Sequence, residues 1–307
     1  MSKLVYIASC QRSGSTMLDT MLNGHPRIQS VGEVHRLVRY AITNEDVCTC
    51  GDQVTACEFW SRVEQHLAGE GPITPGSLLR DQELDLEMRI NEMSPLSNLM
   101  EKALLLAPLG RAKKRLWSRL FKDHARAITN SIRWYEAISQ ASNTQLVLDS
   151  SKDIRRMLAL SAFYGSEMRV LYIIRDGRGV VNSMRKRLNL TVSEGAKRWA
   201  YSIRAMLAAE KGMIGAVTPL RVRYEDLCNQ LEPELDRICE YIGVDHPTGL
   251  GKLNRSSSHN IAGSPTRLDK DIKDVTEDLS WQRELNTQDL LDFERACGDL
   301  NKRLGYL

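Results

Sequence analysis

Long apolar runs are missing from this 307-residue chain. The longest, such as Leu104-Leu105-Leu106-Ala107, fall far short of the roughly 20 residues needed to cross a bilayer, which argues against a helical membrane span. A secretory leader is missing too. Lys3 is followed only by the short run Leu4-Val5-Tyr6-Ile7-Ala8 before Gln11-Arg12, so the chain is expected to stay in the cytoplasm, where it is made. An excess of charge of one sign is missing: a net charge of +3 is too small to mark a nucleic-acid binder. There is no internal repeat and no low-complexity segment. With 42% hydrophobic and 26% charged residues, disordered and fibrous classes are excluded. Cysteine is sparse and odd in number. Seven thiols without an export signal read as reduced side chains rather than a disulfide framework.

Arginine, in contrast, is plentiful, outnumbering lysine 29 to 13. Its planar fork suits bidentate capture of phosphate, sulfate or carboxylate. A GC-rich genome gives the same excess, so composition alone leaves both readings open.

The hydrophobic pattern alternates strand and helix. Leu4–Ala8 is a short apolar run of the buried parallel-strand type, followed by the polar turn from Ser9 to Thr16 and a helix carrying Met17, Leu18, Met21 and Leu22. Further strands are expected at Gln145–Leu148, Met168–Ile174 and Leu220–Tyr224. The first two of these run into Asp149-Ser150-Ser151-Lys152 and Arg175-Asp176-Gly177-Arg178. Alternation of this kind predicts a single α/β domain over residues 1–307, a P-loop-like open parallel sheet flanked by helices. Ligands in such folds bind outside the carboxyl ends of the strands. Residues from about 76 to 141 read as helical throughout, an inserted helical cap. Within it, Arg111 to Arg126 carries seven basic residues against Asp123 alone, for which a solvated helix face is expected and contact with an acidic acceptor or an anionic membrane surface is the alternative. A closing amphipathic helix is expected over Thr287–Leu304.

Two strand-end turns carry chemistry. The first compares with a nucleotide P-loop, which needs a lysine on the terminal phosphates and a hydroxyl on Mg²⁺. Here Gly14 fits the second glycine, but Ser15 replaces the lysine and the cation moves upstream to Arg12. Ser13, Gly14, Ser15 and Thr16 still offer backbone N–H groups and a helix N-terminus to an anion. At the second turn, Arg175 and a helix face shared by Ser183 and Arg187 make a clamp for an isolated phosphate. The alternative is a surface salt-bridge network with Asp176. Two phosphate sites on adjacent strands imply a doubly phosphorylated nucleotide.

The segments Cys10–Leu18 and Arg175–Met184 resemble the 5′-phosphosulfate loop and the 3′-phosphate motif of PAPS-dependent sulfotransferases, PAPS being 3′-phosphoadenosine-5′-phosphosulfate. The chain is most similar to the tyrosylprotein and bacterial branch, in which the first loop carries Arg. The likeness spans residues 4–36 and 145–230. It implies Glu33 as the base that takes the acceptor's proton; His35, poised nearer neutrality but two residues off the matching position, is the second candidate. It also implies Lys152, together with Arg12, as the cations that steady the transferring sulfonate. The 3′-phosphate contacts carry over to Arg175, Ser183 and Arg187. Tyr224 matches a nucleotide-contacting Tyr, or else is a core residue at a strand end. Gly263 and Arg267 match a loop that closes on the nucleotide, with Ser264 where Asn is usual.

Cys48, Cys50 and Cys57 form the one cluster that raises the question of zinc. A fourth ligand of usual spacing is missing, and His35 or His66 would have to be brought in. Buried thiols or an adventitious disulfide are expected instead, and no metal ligand is assigned.

The reading is therefore a PAPS-dependent O-sulfotransferase that releases 3′,5′-ADP. The resemblance implies no metal for the reaction, since a sulfonate carries one charge where a γ-phosphate carries two. A saccharide, a lipid head group, a small natural product and a peptide Tyr all remain open as the hydroxyl-bearing acceptor. No nucleic-acid partner is expected, and a homodimer is left open. A small-molecule P-loop kinase, opposed by the missing lysine, is the alternative enzyme. A catalytically silent nucleotide-binding protein is the alternative of another class.

Overall fold

The computed structural model describes residues 2–43, 47–107, 109, 111–212, 217–251, 258–268 and 275–306. Its centre is a five-stranded sheet in the order β2-β3-β1-β4-β5. The strands are β1 (Lys3–Ser9), β2 (Ile28–Ser30), β3 (Leu146–Lys152), β4 (Met168–Ile174) and β5 (Leu220–Arg223), and every pairing is parallel. Leu4, Tyr6 and Ala8 face one core while Val5 and Ile7 face the other. Covering helices on both faces explain why β1 reads as an unbroken apolar run.

The helices are α1 (Ser15–Leu22), α2 (Leu37–Thr43), α3 (Glu58–Ala68), α4 (Pro95–Leu106), α5 (Arg111–Leu120), α6 (Lys122–Ser142) and α7 (Ile154–Tyr164). They continue with α8 (Gly177–Leu188), α9 (Val192–Gly212), α10 (Tyr224–Asn229), α11 (Leu231–Ile242), α12 (Trp281–Glu284), α13 (Thr287–Phe293) and α14 (Asp299–Arg303). Among the described residues no helix is long and apolar enough to cross a membrane.

Four of the five strands fall where the pattern places them. β2 was not anticipated, because three residues are too few to show a period. β3 runs on through Asp149-Ser150-Ser151-Lys152, which the pattern assigned to a turn. Its polar side chains are buried there because each has partners. Asp149 accepts from Tyr135 Oη and from the Ser151 amide, the latter at 2.8 Å, and Arg156 Nε lies 3.5 Å away. Arg156 also donates to the Leu86 carbonyl at 2.8 Å and to Ser131 Oγ at 2.9 Å. This buried network fixes the end of the strand that carries Lys152. β5 stops one residue early, and Tyr224 opens α10 instead.

The helical expectation for 76–141 needs correction at its start. Residues 69–94 are mostly irregular, with short 3₁₀ turns at Gln82–Leu84 and Ile90–Glu92, and continuous helix begins only at Pro95. Helices α4 to α6 pack on one another and on α7. Buried Glu101 joins them, accepting from Trp117 Nε1 at 3.0 Å and Arg155 Nη1 at 3.2 Å, with His124 Nδ1 at 2.7 Å. The basic face of α5 is only partly solvated. Lys113 is buried and donates to the Leu105 carbonyl at 2.8 Å, and Lys114 lies 4.2 Å over the Phe163 ring. Arg115 and Arg119 are exposed, and the side chain of Arg111 lies outside the described residues. The closing helix is interrupted by a π turn over Glu294–Gly298.

Candidate active site

β1 and β4 are neighbours whose following helices leave toward opposite edges of the sheet, so a crevice opens between their carboxyl ends. The turn after β1 enters it with two residues at positive φ, Arg12 at 70° and Gly14 at 92°. Glycine is required at 14. A Cβ there would lie 2.6 Å from Cδ2 of Tyr224, whose ring packs against the turn. Helix α1 starts directly after Gly14 with no side-chain cap. Its first-turn N–H groups thus remain available to an anion.

The turns after β1 and β4 meet. Arg175 Nη1 donates to the Arg12 carbonyl at 3.2 Å. Arg12 Nε donates to Ser183 Oγ on α8 at 3.0 Å, and its Nη1 to Ser264 Oγ at 3.2 Å. The Arg175 guanidinium lies 4.2 Å over the Tyr224 ring and reaches Asp278 Oδ2 at 3.2 Å. Asp176 is not its partner. That carboxylate caps α8 and pairs with Arg178. Burial, and after it the neighbouring Arg187 and Arg175, hold the Arg12 guanidinium below its usual range. Tyr224 donates to the Thr276 carbonyl and accepts from the Asp278 amide, and burial pushes its phenol up to about 12.

Across the crevice, Lys152 at the end of β3 pairs with Glu33, and Arg36 Nε stands 3.7 Å from the other Glu33 oxygen. Both partners of the Glu33–Lys152 pair are largely buried, with 13% of each side chain exposed. His35 points elsewhere. Its Nδ1 meets Ser151 Oγ at 2.8 Å, and burial, followed by the charges of Arg156, Arg36 and Lys152, holds its imidazole well below its ordinary range. His35 is kept neutral and lines a separate cavity.

A segment from 258 to 268 roofs the site. The Glu33 amide donates to the Ile261 carbonyl at 3.0 Å, and Asn260 Nδ2 donates to Asp19 on α1 at 2.8 Å. Buried Asp19 also accepts from Ser30 and Ser150, joining α1, β2, β3 and the roof, and burial raises its pKa. Gly32, at φ +68°, is where roof and floor touch, since a Cβ there would sit 2.4 Å from the Ile261 carbonyl oxygen. Gly263 lies over Glu33 and Thr16, at 3.5 and 3.8 Å from a built Cβ.

These parts enclose a cavity of about 770 Å³. Arg12, Gly14, Ser15, Thr16, Glu33, Lys152, Arg175, Ser183, Arg187, Tyr224, Gly263 and Arg267 all line it. Of the catalytic and nucleotide-binding residues singled out from sequence, Ser13 and the second candidate base His35 do not, the side chain of Ser13 being buried. Arg267 reaches the wall but also donates to the Val47 carbonyl at 3.0 Å, so it fastens the roof as well. Sequence reasoning missed Arg36, Tyr40 and Asp278 as lining residues, and noted Ser264 only as a departure from the usual Asn. Six cationic side chains (Arg12, Arg36, Lys152, Arg175, Arg187, Arg267) face two carboxylates (Glu33, Asp278). Such an excess in a recessed cavity attracts an anion bearing several charges.

An open parallel sheet with a cavity lined by more cations than carboxylates at its switch point defines the class as α/β. Two solved structures share the fold. A sulfotransferase domain from the Synechococcus PCC 7002 olefin synthase is 22% identical, with a TM-score of 0.56 over 99% of this chain and 94% of that one. A sulfotransferase domain from the curacin biosynthetic pathway is 17% identical, with a TM-score of 0.53 over 100% and 99%. No curated protein sequence matches the chain. Residues 5–248 match the sulfotransferase family, and the chain belongs to it. It is a transferase of sulfonyl groups.

Proposed function

We propose that the chain transfers the sulfonyl group of PAPS to a hydroxyl acceptor and releases 3′,5′-ADP. The observation that carries this reading is a single cavity in which the Glu33–Lys152 pair faces the arginine cluster of Arg12, Arg175 and Arg187. In the proposed reaction the first-turn N–H groups of α1 and Arg12 hold the 5′-phosphosulfate. Arg175, Ser183 and Arg187 hold the 3′-phosphate, and Tyr224 flanks the nucleotide. The acceptor oxygen attacks sulfur in line while Glu33 takes its proton. As the bond between sulfur and the bridging oxygen breaks, Lys152 and Arg12 neutralise the charge that develops on the departing phosphate. The acceptor enters past Arg36, which also lines a neighbouring cavity of about 570 Å³. Arg39, Glu87 and Arg89 line that second space, so it suits an acceptor with polar groups around its hydroxyl.

The test is binding and then turnover. 3′,5′-ADP should raise the melting temperature without Mg²⁺, by linkage, whereas ATP with Mg²⁺ should do little. Labelled sulfonate should then move from PAPS to an alcohol. A large shift with ATP and Mg²⁺ and none with 3′,5′-ADP overturns the proposal in favour of a kinase.

A further inference from the structure

The three clustered thiols acquire a fourth partner in the fold, and it is neither His35 nor His66. His259, on the roof, brings its Nδ1 to 3.5 Å from Cys48 Sγ and 3.5 Å from Cys57 Sγ. Cys57 Sγ in turn lies 3.7 Å from Cys48 Sγ and 3.6 Å from Cys50 Sγ. All four ligand atoms fall within 4.8 Å of one another. A tetrahedral zinc with Zn–S near 2.3 Å and Zn–N near 2.0–2.1 Å requires sulfur–sulfur edges of about 3.8 Å and sulfur–nitrogen edges of about 3.5 Å. The four separations given above fit that tetrahedron to within about 0.2 Å, and the remaining two edges, from Cys50 to Cys48 and to His259, lie within 4.8 Å. We propose that Cys48, Cys50, Cys57 and His259 bind one structural zinc ion.

The surroundings hold the ligands in place. Cys48 and Cys50 sit on a tight turn closed by the Cys48 amide to the Asp52 carbonyl at 2.8 Å and the Gly51 amide to the Cys48 carbonyl at 2.9 Å. Cys57 occupies the N-cap of α3. The His259 ring is stacked on Phe59 with centroids 4.5 Å apart and planes 8° from parallel, which aims Nδ1 at the thiols. Thr49 stitches the two segments beside the ligands, accepting from the Asn260 amide at 2.9 Å and donating to the Ser258 carbonyl at 2.6 Å. Three thiolates and one imidazole favour zinc over the oxygen-seeking cations, and four protein ligands leave no open position for catalysis. On coordination each thiol gives its proton to solvent.

The ion would act as a brace. His259 lies two residues before Ile261, whose carbonyl takes the Glu33 amide, so the zinc would pin the roof over the cavity to the loop before α3. This assignment does not depend on the identity of the sulfonyl donor, and its first readout is metal rather than activity.

Elemental analysis of protein purified under reductant should find one zinc per chain. Cys57→Ser and His259→Ala should lose it, while Cys228→Ser, away from the cluster, should retain it. Because the ligand variants risk misfolding, the wild-type protein is also to be reconstituted with Co²⁺ alone. Thiolate-to-cobalt charge-transfer bands together with tetrahedral d–d bands are expected. Absence of stoichiometric zinc after anaerobic reconstitution, or cobalt spectra without thiolate bands, overturns the proposal. So does a disulfide among Cys48, Cys50 and Cys57 in rapidly alkylated protein.

Discussion

The turn after β1 assembles Arg12, Gly14 and the first turn of α1 within a few consecutive residues, whereas the segment lying over Glu33 comes from residues 258–268, near the other end of the chain. The two halves of the cavity differ in what holds them. The floor is backbone geometry: strand, left-handed turn and helix start, with glycine where Tyr224 packs close. The roof is a strap held by scattered contacts to Val31, Glu33, Thr49, Asp19 and Val47. A local motif is cheap to specify because neighbouring residues are already close. A strap from far along the chain loses more loop entropy and needs several fastenings.

The largest effect is expected at the seam between the halves. Glu33→Gln should leave 3′,5′-ADP binding nearly intact and lower kcat by roughly 10²–10⁴ if Glu33 is the base. Full turnover with an alcohol acceptor would remove Glu33 from that role. His35 is an unattractive replacement, being directed at Ser151 and made a weaker base by burial.

The floor is tested next. Arg175→Ala and Ser183→Ala should each weaken 3′,5′-ADP by about 1.5–3 kcal/mol, the worth of a hydrogen bond to a charged group, or roughly 10- to 150-fold in Kd. Titration calorimetry reads this directly, and an unchanged Kd would separate α8 from the phosphate site.

For the roof, Gly32→Ala should destabilise the fold by about 1–3 kcal/mol from the positive φ, more if the Ile261 carbonyl cannot retreat. Denaturant unfolding measures it. A silent Gly32→Ala would mean that the strap gives way freely and that the comparison between floor and roof is wrong.

Asp278→Asn carries the smallest expected effect. Its carboxylate occupies one edge of Arg175 at 3.2 Å and is half exposed, so removing its charge should tighten 3′,5′-ADP by a few-fold at low salt. Weaker binding would instead make Asp278 part of the nucleotide's own support.

The legibility of the sequence follows the same division. β1, β4 and the turns after them were readable because an apolar run, a glycine and an arginine sit side by side, and a buried parallel strand needs no alternation. β2 was not readable at three residues, and the polar end of β3 looked like a turn because nothing in Asp149-Ser150-Ser151 announces that Tyr135 and Arg156 will satisfy it. Neither Arg36 nor Asp278 belongs to any motif.

What the sequence determined by itself was the α/β class, the two strand-end turns that reach the cavity and the residues within them. These depend on helix starts, left-handed turns and strand periods, all set over fewer than about ten residues. Only the tertiary structure decided that Glu33 meets Lys152, that Arg12 bridges Ser183 and Ser264, and that His259 completes the group of Cys48, Cys50 and Cys57. Each of those meetings joins residues more than a hundred positions apart. Side-chain identity cannot encode such a distance until sheet order and helix packing have brought the segments together.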